Sequence, residues 1–70
     1  PSIALPSNLT YLYLSNNQMT LAGYTASETW ATNQPSFTNS CNVYCDSNID
    51  SISGTNLQAI LITKNCNITA

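Results

Sequence analysis

The sequence has no histidine and no arginine, and Lys64 is its only basic residue. Three acidic residues, Glu28, Asp46 and Asp50, bring the net charge to −2 at pH 7. Binding to nucleic acid needs basic side chains that neutralise phosphates, so we expect no nucleic-acid partner. Histidine is also the commonest general base and metal ligand. We therefore expect no enzymatic activity, no catalytic residues, no bound metal and no cofactor.

The sequence has no long apolar run, although 43% of its residues are hydrophobic. A membrane-spanning helix needs about 20 consecutive apolar residues, so we expect no membrane insertion. A chain of 70 residues is enough for one small domain, whose core is marginal by itself. The chain begins at Pro1 without a methionine. We expect residues 1–70 to be a single module at the C-terminal end of a longer chain or assembly.

Cysteine is scarce as well. The sequence has only three, Cys41, Cys45 and Cys66, and because the number is odd at least one of them cannot pair within the chain. They cannot form a disulfide framework, and unpaired cysteines are commonly buried. We predict that all three are core thiols. A disulfide between Cys41 and Cys66 is the less favoured alternative.

An internal repeat is the strongest pattern present. Residues 9–19 read LTYLYLSNNQM, which fits L-x-x-L-x-L-x-x-N-x-L with Asn17 at the asparagine and Met19 in the last place. A shift of 31 positions lays Val43 over Leu12 and Asn48 over Asn17. A further shift of 23 positions lays Cys66 over Val43.

These overlays predict three short parallel strands, near residues 11–14, 42–45 and 66–69. Alternation along each strand predicts two buried columns, one of Leu12, Val43 and Cys66 and one of Leu14, Cys45 and Ile68. Two helices connect the strands. The first is predicted over residues 26–33, with Thr25 and Glu28 as a capping box, and the second begins after Thr55 and closes near Asn65.

The 9–19 motif resembles the leucine-rich-repeat family. The resemblance implies an α/β solenoid fragment with about three short parallel strands and two returning helices, organised as coils 5–40 and 41–65 and a terminal strand 66–70. It also implies that Asn17 and Asn48 form an asparagine ladder that satisfies backbone groups of adjacent coils. Departures from the motif are Cys45 in place of leucine, Asp50 in the last place, and returns of unequal length.

The closing residues, 52–70, and the run 16–32 resemble the last repeats of leucine-rich proteins of tailed phages and environmental bacteria. That resemblance implies a non-enzymatic structural or recognition module of a virion, such as a tail-fibre, receptor-binding or surface-decoration protein. Its protein partners would be its own longer chain, further copies or other virion proteins. One alternative is a filament or scaffold subunit that stacks through open solenoid ends. Another is a bacterial secreted or cell-surface adhesin.

The outward strand positions predict a binding surface. Tyrosine rings can stack on the apolar face of a sugar, and amides or carboxylates can bind its hydroxyls. Cross-strand tyrosines that only stabilise the sheet are the favoured interpretation. A host-surface glycan that binds to these rings is the alternative. The predicted ligand-binding residues are Tyr11, Tyr13, Asn42, Tyr44, Asp46 and Asn67. The Asp46, Asn48 and Asp50 spacing opens like a calcium loop but lacks its glycine and glutamate, so we interpret these residues as turn residues.

Overall fold

A computed structural model describes residues 3–70 of the chain, so residues 1–2 of the predicted module lie outside the described residues. Three strands form one open sheet in the order β1-β2-β3, and both neighbouring pairs are parallel. The prediction of a mixed α/β fold with three short parallel strands is confirmed. The elements are β1 (Tyr11–Tyr13), α1 (Leu21–Ala26), α2 (Glu28–Thr32), β2 (Cys41–Tyr44), α3 (Asn56–Thr63) and β3 (Cys66–Thr69).

The register of the sheet agrees with the first overlay and corrects the second. Leu12 lies beside Val43, as predicted from the shift of 31. Ile68, however, lies beside Val43, and Cys66 lies beside Cys41. The third members of both predicted columns were therefore wrong by two residues. A slip of two residues keeps every side chain on the same face, so alternation alone could not distinguish the two registers.

The backbone repeats after each of the first two strands. Asn16 and Ser47, 31 positions apart, both have a φ of 58°. Leu14 N donates to Tyr44 O at 2.7 Å, and Asn16 N donates to Asp46 O at 3.1 Å. The parallel pairing therefore continues from the strands into the turns, and the two turns stack on one another.

The segment that returns from β1 to β2, the first return, contains two short helices. The predicted single helix over residues 26–33 was therefore wrong. Thr20 caps α1, and its Oγ1 accepts from Gly23 N at 3.3 Å. Thr25 lies inside α1, so it is not a cap. Ser27 lies between the two helices, and its hydroxyl donates to Gly23 O at 2.9 Å.

Long-range contacts explain why this return begins earlier than the local pattern indicated. The Tyr24 side chain is only 1% exposed, and its hydroxyl donates to Asp50 O at 2.7 Å. The Asp50 carboxylate accepts from Leu21 N at 2.9 Å, at the first turn of α1. A carboxylate at a helix N-terminus is favoured by the free N–H groups there. Asp50, in the turn after β2, therefore fixes the start of α1.

The second return follows the predicted pattern. Thr55 is the N-cap of α3, and its Oγ1 accepts from Gln58 N at 3.2 Å. Gln58 Oε1 accepts from Gly54 N at 2.8 Å, one residue before the cap. Asn65 has a φ of 68° after the helix ends, which is the left-handed conformation expected of a closing asparagine.

The core lies between the inner face of the sheet and the helices. Its side chains are mostly aliphatic and thiol groups, and the prediction that all three cysteines are buried is confirmed. The inner positions of β2 are its centre, because Cys41 and Val43 are fully buried. The buried apolar residues are Tyr24, Ala31, Phe37, Cys41, Val43, Cys45, Ile52, Leu57, Leu61 and Cys66.

Candidate binding face

Three tyrosine rings stack on the outer face of the sheet. The Tyr13 and Tyr44 ring centroids are 4.9 Å apart, and their planes differ by 10°. The Tyr11 ring is parallel to both within 10°, with its centroid 6.3 Å from that of Tyr13 and 6.4 Å from that of Tyr44. We call Tyr11, Tyr13 and Tyr44 the tyrosine cluster.

The cluster is held by the strands beneath it. Tyr13 and Tyr44 are directly opposite in the parallel pair, and their inward neighbours Leu12 and Val43 are also opposite one another. The inward side chains pack in the core. Tyr11 is nevertheless 52% exposed and Tyr13 68% exposed. Aromatic surface of this extent on a stable strand pair is available for contact with another molecule.

Polar side chains continue the same face across β2 and β3. Asn42 lies beside Tyr11, and Asn67 lies beside Asn42. Thr69 lies beyond Tyr44 in the second row. Amides both donate and accept hydrogen bonds, as hydroxyl-bearing ligands require. Thr69 was not among the predicted binding residues, although the same alternation marks it as outward.

Asp46 follows β2 and supplies the charge at this end of the sheet. Its Oδ1 accepts from Ser15 Oγ at 2.5 Å, and Ser47 Oγ donates to its Oδ2 at 3.4 Å. The Ser15 hydrogen bond is the main cause of a lowered pKa for the Asp46 carboxyl. An exposed carboxylate is thus fixed in position and ionised at neutral pH.

The two predicted ladder residues have different surroundings. Asn48 Oδ1 accepts from Asn17 N at 2.8 Å and from Met19 N at 3.2 Å. Its Nδ2 donates to Leu14 O at 3.0 Å and to Cys45 O at 2.8 Å. The Asn17 side chain is exposed, and its Nδ2 donates to Ser15 O at 3.2 Å. Asn48 therefore joins the turn after β1 to the turn after β2, whereas the side-chain contact of Asn17 is local.

Asp50 is a connecting residue that the sequence pattern did not reveal. The motif places it opposite Met19, and its N–H donates to Met19 O at 3.0 Å. Its carboxylate accepts from Leu21 N. With Asp46 bound to Ser15 and Asn48 bound to backbone, the oxygens of the D-x-N-x-D segment serve contacts between coils. Residues 3–70 contain no group of three potential metal-binding side chains.

An apolar cavity of about 180 Å³ lies under the first coil, behind the tyrosine face. It is bounded by the inward side of the sheet and by α3. The side chains around it include Leu12, Leu14, Met19, Trp30, Leu57 and Leu61. Apolar surface of the first coil is therefore incompletely covered within residues 3–70.

The three thiols are slow nucleophiles at neutral pH. Burial is the main cause of a raised pKa for Cys41 and Cys45, and it raises the pKa of Cys66 to about 11. A thiol reacts as the thiolate, so these groups react slowly at neutral pH in the folded chain. The outer face instead offers stacking surfaces, amides, hydroxyls and one carboxylate. These groups are suited to binding.

Comparison with known proteins identifies no relative: no family model, no curated protein and no solved structure matches this chain. The leucine-rich-repeat resemblance of residues 9–19 therefore remains a prediction. No helix in the described part of the chain is long and apolar enough to cross a membrane. The tyrosine cluster and the incompletely covered apolar surface around the cavity are the features from which a function can be proposed.

Proposed function

We propose that this chain is a non-enzymatic recognition module, built as a leucine-rich-repeat solenoid end, that binds carbohydrate through its tyrosine face. We further propose that it belongs to a phage virion, as a tail-fibre, receptor-binding or surface-decoration protein. The observation that carries the binding proposal is the stack of three parallel rings, of which Tyr11 and Tyr13 are exposed and Tyr44 is half-buried. The resemblance of residues 16–32 and 52–70 to closing repeats of phage proteins supports the virion assignment.

Carbohydrate fits the chemistry of this surface. A pyranose ring has an apolar C–H face that stacks on an aromatic ring, and hydroxyls around its edge. Asn42 and Asn67 lie in the row that begins at Tyr11, and they can donate to and accept from hydroxyls. The chain has a net charge of only −2, so neutral sugars match it better than charged polymers.

Sheet stabilisation alone does not account for the cluster. A cross-strand aromatic pair contributes roughly 0.2–1 kcal/mol, which explains Tyr13 beside Tyr44. The diagonal contact of Tyr11 with Tyr44 adds to this stabilisation. Stabilisation does not require the rings to be exposed, however, and Tyr11 is 52% and Tyr13 68% exposed. Exposed aromatic patches of this kind are typical of ligand and partner surfaces.

A glycan array probed with the labelled full chain tests the proposal. We expect binding to a subset of oligosaccharides, and at least a tenfold loss of affinity in the Tyr13→Ala/Tyr44→Ala variant. Ile62→Ala is the matched control, because Ile62 is 54% exposed but lies on α3. No binding by the wild type, or equal binding by the double variant, would contradict carbohydrate recognition by this face.

Assembly through the open coil ends is the second candidate function. It is favoured by the apolar cavity and by the outer edges of β1 and β3, which no strand within residues 3–70 pairs. Thr10 O and Leu14 N form hydrogen bonds with the β2 side of the sheet. In a parallel pair the direction of the backbone groups alternates along a strand, so those of Tyr11 and Tyr13 point away from β2. Stacking of β1 of one copy on β3 of another would be heterologous and would form filaments. Sedimentation velocity should then show larger species with rising concentration, whereas a monomer at every concentration would contradict it.

A bacterial secreted or cell-surface adhesin could use the same tyrosine face. The neighbouring genes distinguish it from a virion protein. Capsid and tail genes beside the encoding gene would support the virion assignment, and genes for surface proteins would support the adhesin.

A further inference from the structure

Two cysteines face each other across the β2–β3 pair. Cys41 and Cys66 are directly opposite in the parallel register, and both are free thiols. Cys41 is fully buried, and Cys66 is 6% exposed. The sequence places them 25 positions apart, at the beginnings of two strands that are joined by α3. The core therefore contains two thiols on the same side of adjacent strands.

The spacing of adjacent strands suits a disulfide. Neighbouring strands in a sheet lie about 4.8 Å apart, and disulfides usually join Cα atoms about 4.4–6.8 Å apart. Opposite residues also project to the same face, so the two Sγ atoms need no change of register to meet. In the described chain β3 has no strand on its other side, and small adjustments of such an edge cost little.

The third cysteine lies out of reach. Cys45 comes four residues after Cys41 along the same chain, which places it about 13 Å farther along at the rise of a strand. Its Sγ lies 3.9 Å from the Tyr24 hydroxyl and 3.7 Å from Asn48 Nδ2. Its surroundings are therefore the Tyr24 hydroxyl and the turn that follows β2.

We propose that Cys41 and Cys66 are an oxidative modification site, which closes to an intramolecular disulfide in the folded chain while Cys45 remains a thiol. The disulfide fastens β3 to β2. The proposal is independent of what the tyrosine face binds.

The oxidant is a small disulfide such as oxidised glutathione. The Cys66 thiol loses its proton, and its thiolate attacks one sulfur of the small disulfide, whose S–S bond breaks and releases one small thiol. Cys41 then loses its proton and attacks the Cys66 sulfur, which releases the second small thiol. Two protein thiols are oxidised by two electrons, and the small disulfide is reduced to two thiols that carry the two protons.

The surroundings predict how fast the bond forms. Burial, with a smaller contribution from the neighbouring Cys41, raises the pKa of Cys66 to about 11. Because the thiolate is the reacting form, oxidation should be slow at pH 7 and faster at pH 9. Closing the loop restricts the unfolded chain, so the oxidised protein should melt about 10 °C or more above the reduced protein.

Peptide mapping after oxidation of the native full chain tests the site. The protein is incubated with oxidised and reduced glutathione at pH 8, alkylated and digested, and its peptides are identified by mass spectrometry. We expect the loss of two hydrogen atoms, a Cys41–Cys66 peptide pair and alkylation of Cys45 alone. Three alkylated cysteines, a stable mixed disulfide or a bridge to Cys45 would overturn the proposal.

Two single variants test which thiols form the disulfide. Cys45→Ser should oxidise like the wild type, and Cys66→Ser should form no intramolecular bond. A disulfide between Cys41 and Cys45 in Cys66→Ser would contradict the claim that Cys45 is out of reach. The wild-type peptide map decides the question even where a variant does not fold.

Discussion

Replacement of Asn48 by alanine should remove much of the stability of this chain. The Asn48 side chain makes four hydrogen bonds to backbone groups, two through Oδ1 to Asn17 and Met19 and two through Nδ2 to Leu14 and Cys45. One hydrogen bond contributes a net stabilisation of about 0.5–1.5 kcal/mol to the folded state, and a buried polar group left without a partner destabilises it by about 1–3 kcal/mol. Asn17 is exposed, so water can replace that contact. We expect a loss of about 3 kcal/mol.

Asn17→Ala is the internal control, because Asn17 occupies the equivalent place in the preceding coil. Its side chain makes one hydrogen bond, to Ser15 O at 3.2 Å, in an exposed position. We expect a loss of about 0.5 kcal/mol or less. The contrast between the two asparagines follows from their contacts, since their residue type and motif position are the same.

Urea unfolding followed by Trp30 fluorescence and circular dichroism measures both variants. A small domain of this size has a stability of only about 3–5 kcal/mol, so Asn48→Ala should be partly unfolded without urea. Equal losses for Asn48→Ala and Asn17→Ala, or a loss below about 0.5 kcal/mol for Asn48→Ala, would contradict a stabilising role of the Asn48 hydrogen bonds.

Three further predictions concern caps, a buried phenol and a turn. Thr20→Ala should lower the free energy of unfolding by about 1 kcal/mol and Thr25→Ala by less than about 0.5 kcal/mol in the same urea assay, and the reverse order would restore Thr25 as the cap. Burial raises the pKa of Tyr24 from 10.0 to about 12. The contribution of the neutral phenol to the free energy of unfolding is therefore complete below pH 10 and is lost as the pH rises from 10 to about 12. Between pH 8 and 11, the melting temperature of the wild type should fall more steeply than that of Tyr24→Phe. Gly54 has a φ of 80° with open space around it, so Gly54→Ala should cost about 1 kcal/mol through backbone strain alone, and an unchanged stability would contradict that strain.

The first two strands could be predicted because several independent features coincide there. Alternation places Leu12 and Val43 inward, and the turn asparagines Asn17 and Asn48 fix the shift of 31 between the coils. The same alternation predicted the outer face on which Tyr13 meets Tyr44. The parallel orientation of Tyr11 to both rings was not predictable, because ring planes depend on side-chain torsions.

The third strand and the first helix were mispredicted for different physical reasons. Residues 66–70 include only the strand and not the turn position at which Asn17 and Asn48 anchor the first overlay. Alternation alone therefore did not distinguish two registers that bury the same face. At the first return, Thr25 and Glu28 form a stronger local pattern than Thr20. Burial of Tyr24 outweighed that local preference.

An NMR titration of the isotope-labelled full chain tests the central claim that the tyrosine face recognises carbohydrate. The ligand is the oligosaccharide that gives the strongest array signal. The largest shift changes should occur at Tyr11, Tyr13 and Tyr44, with smaller changes at Asn42 and Asn67 and little change along α3. Saturable changes confined to α3 or to the first-coil cavity, with the tyrosine signals unmoved, would contradict that claim.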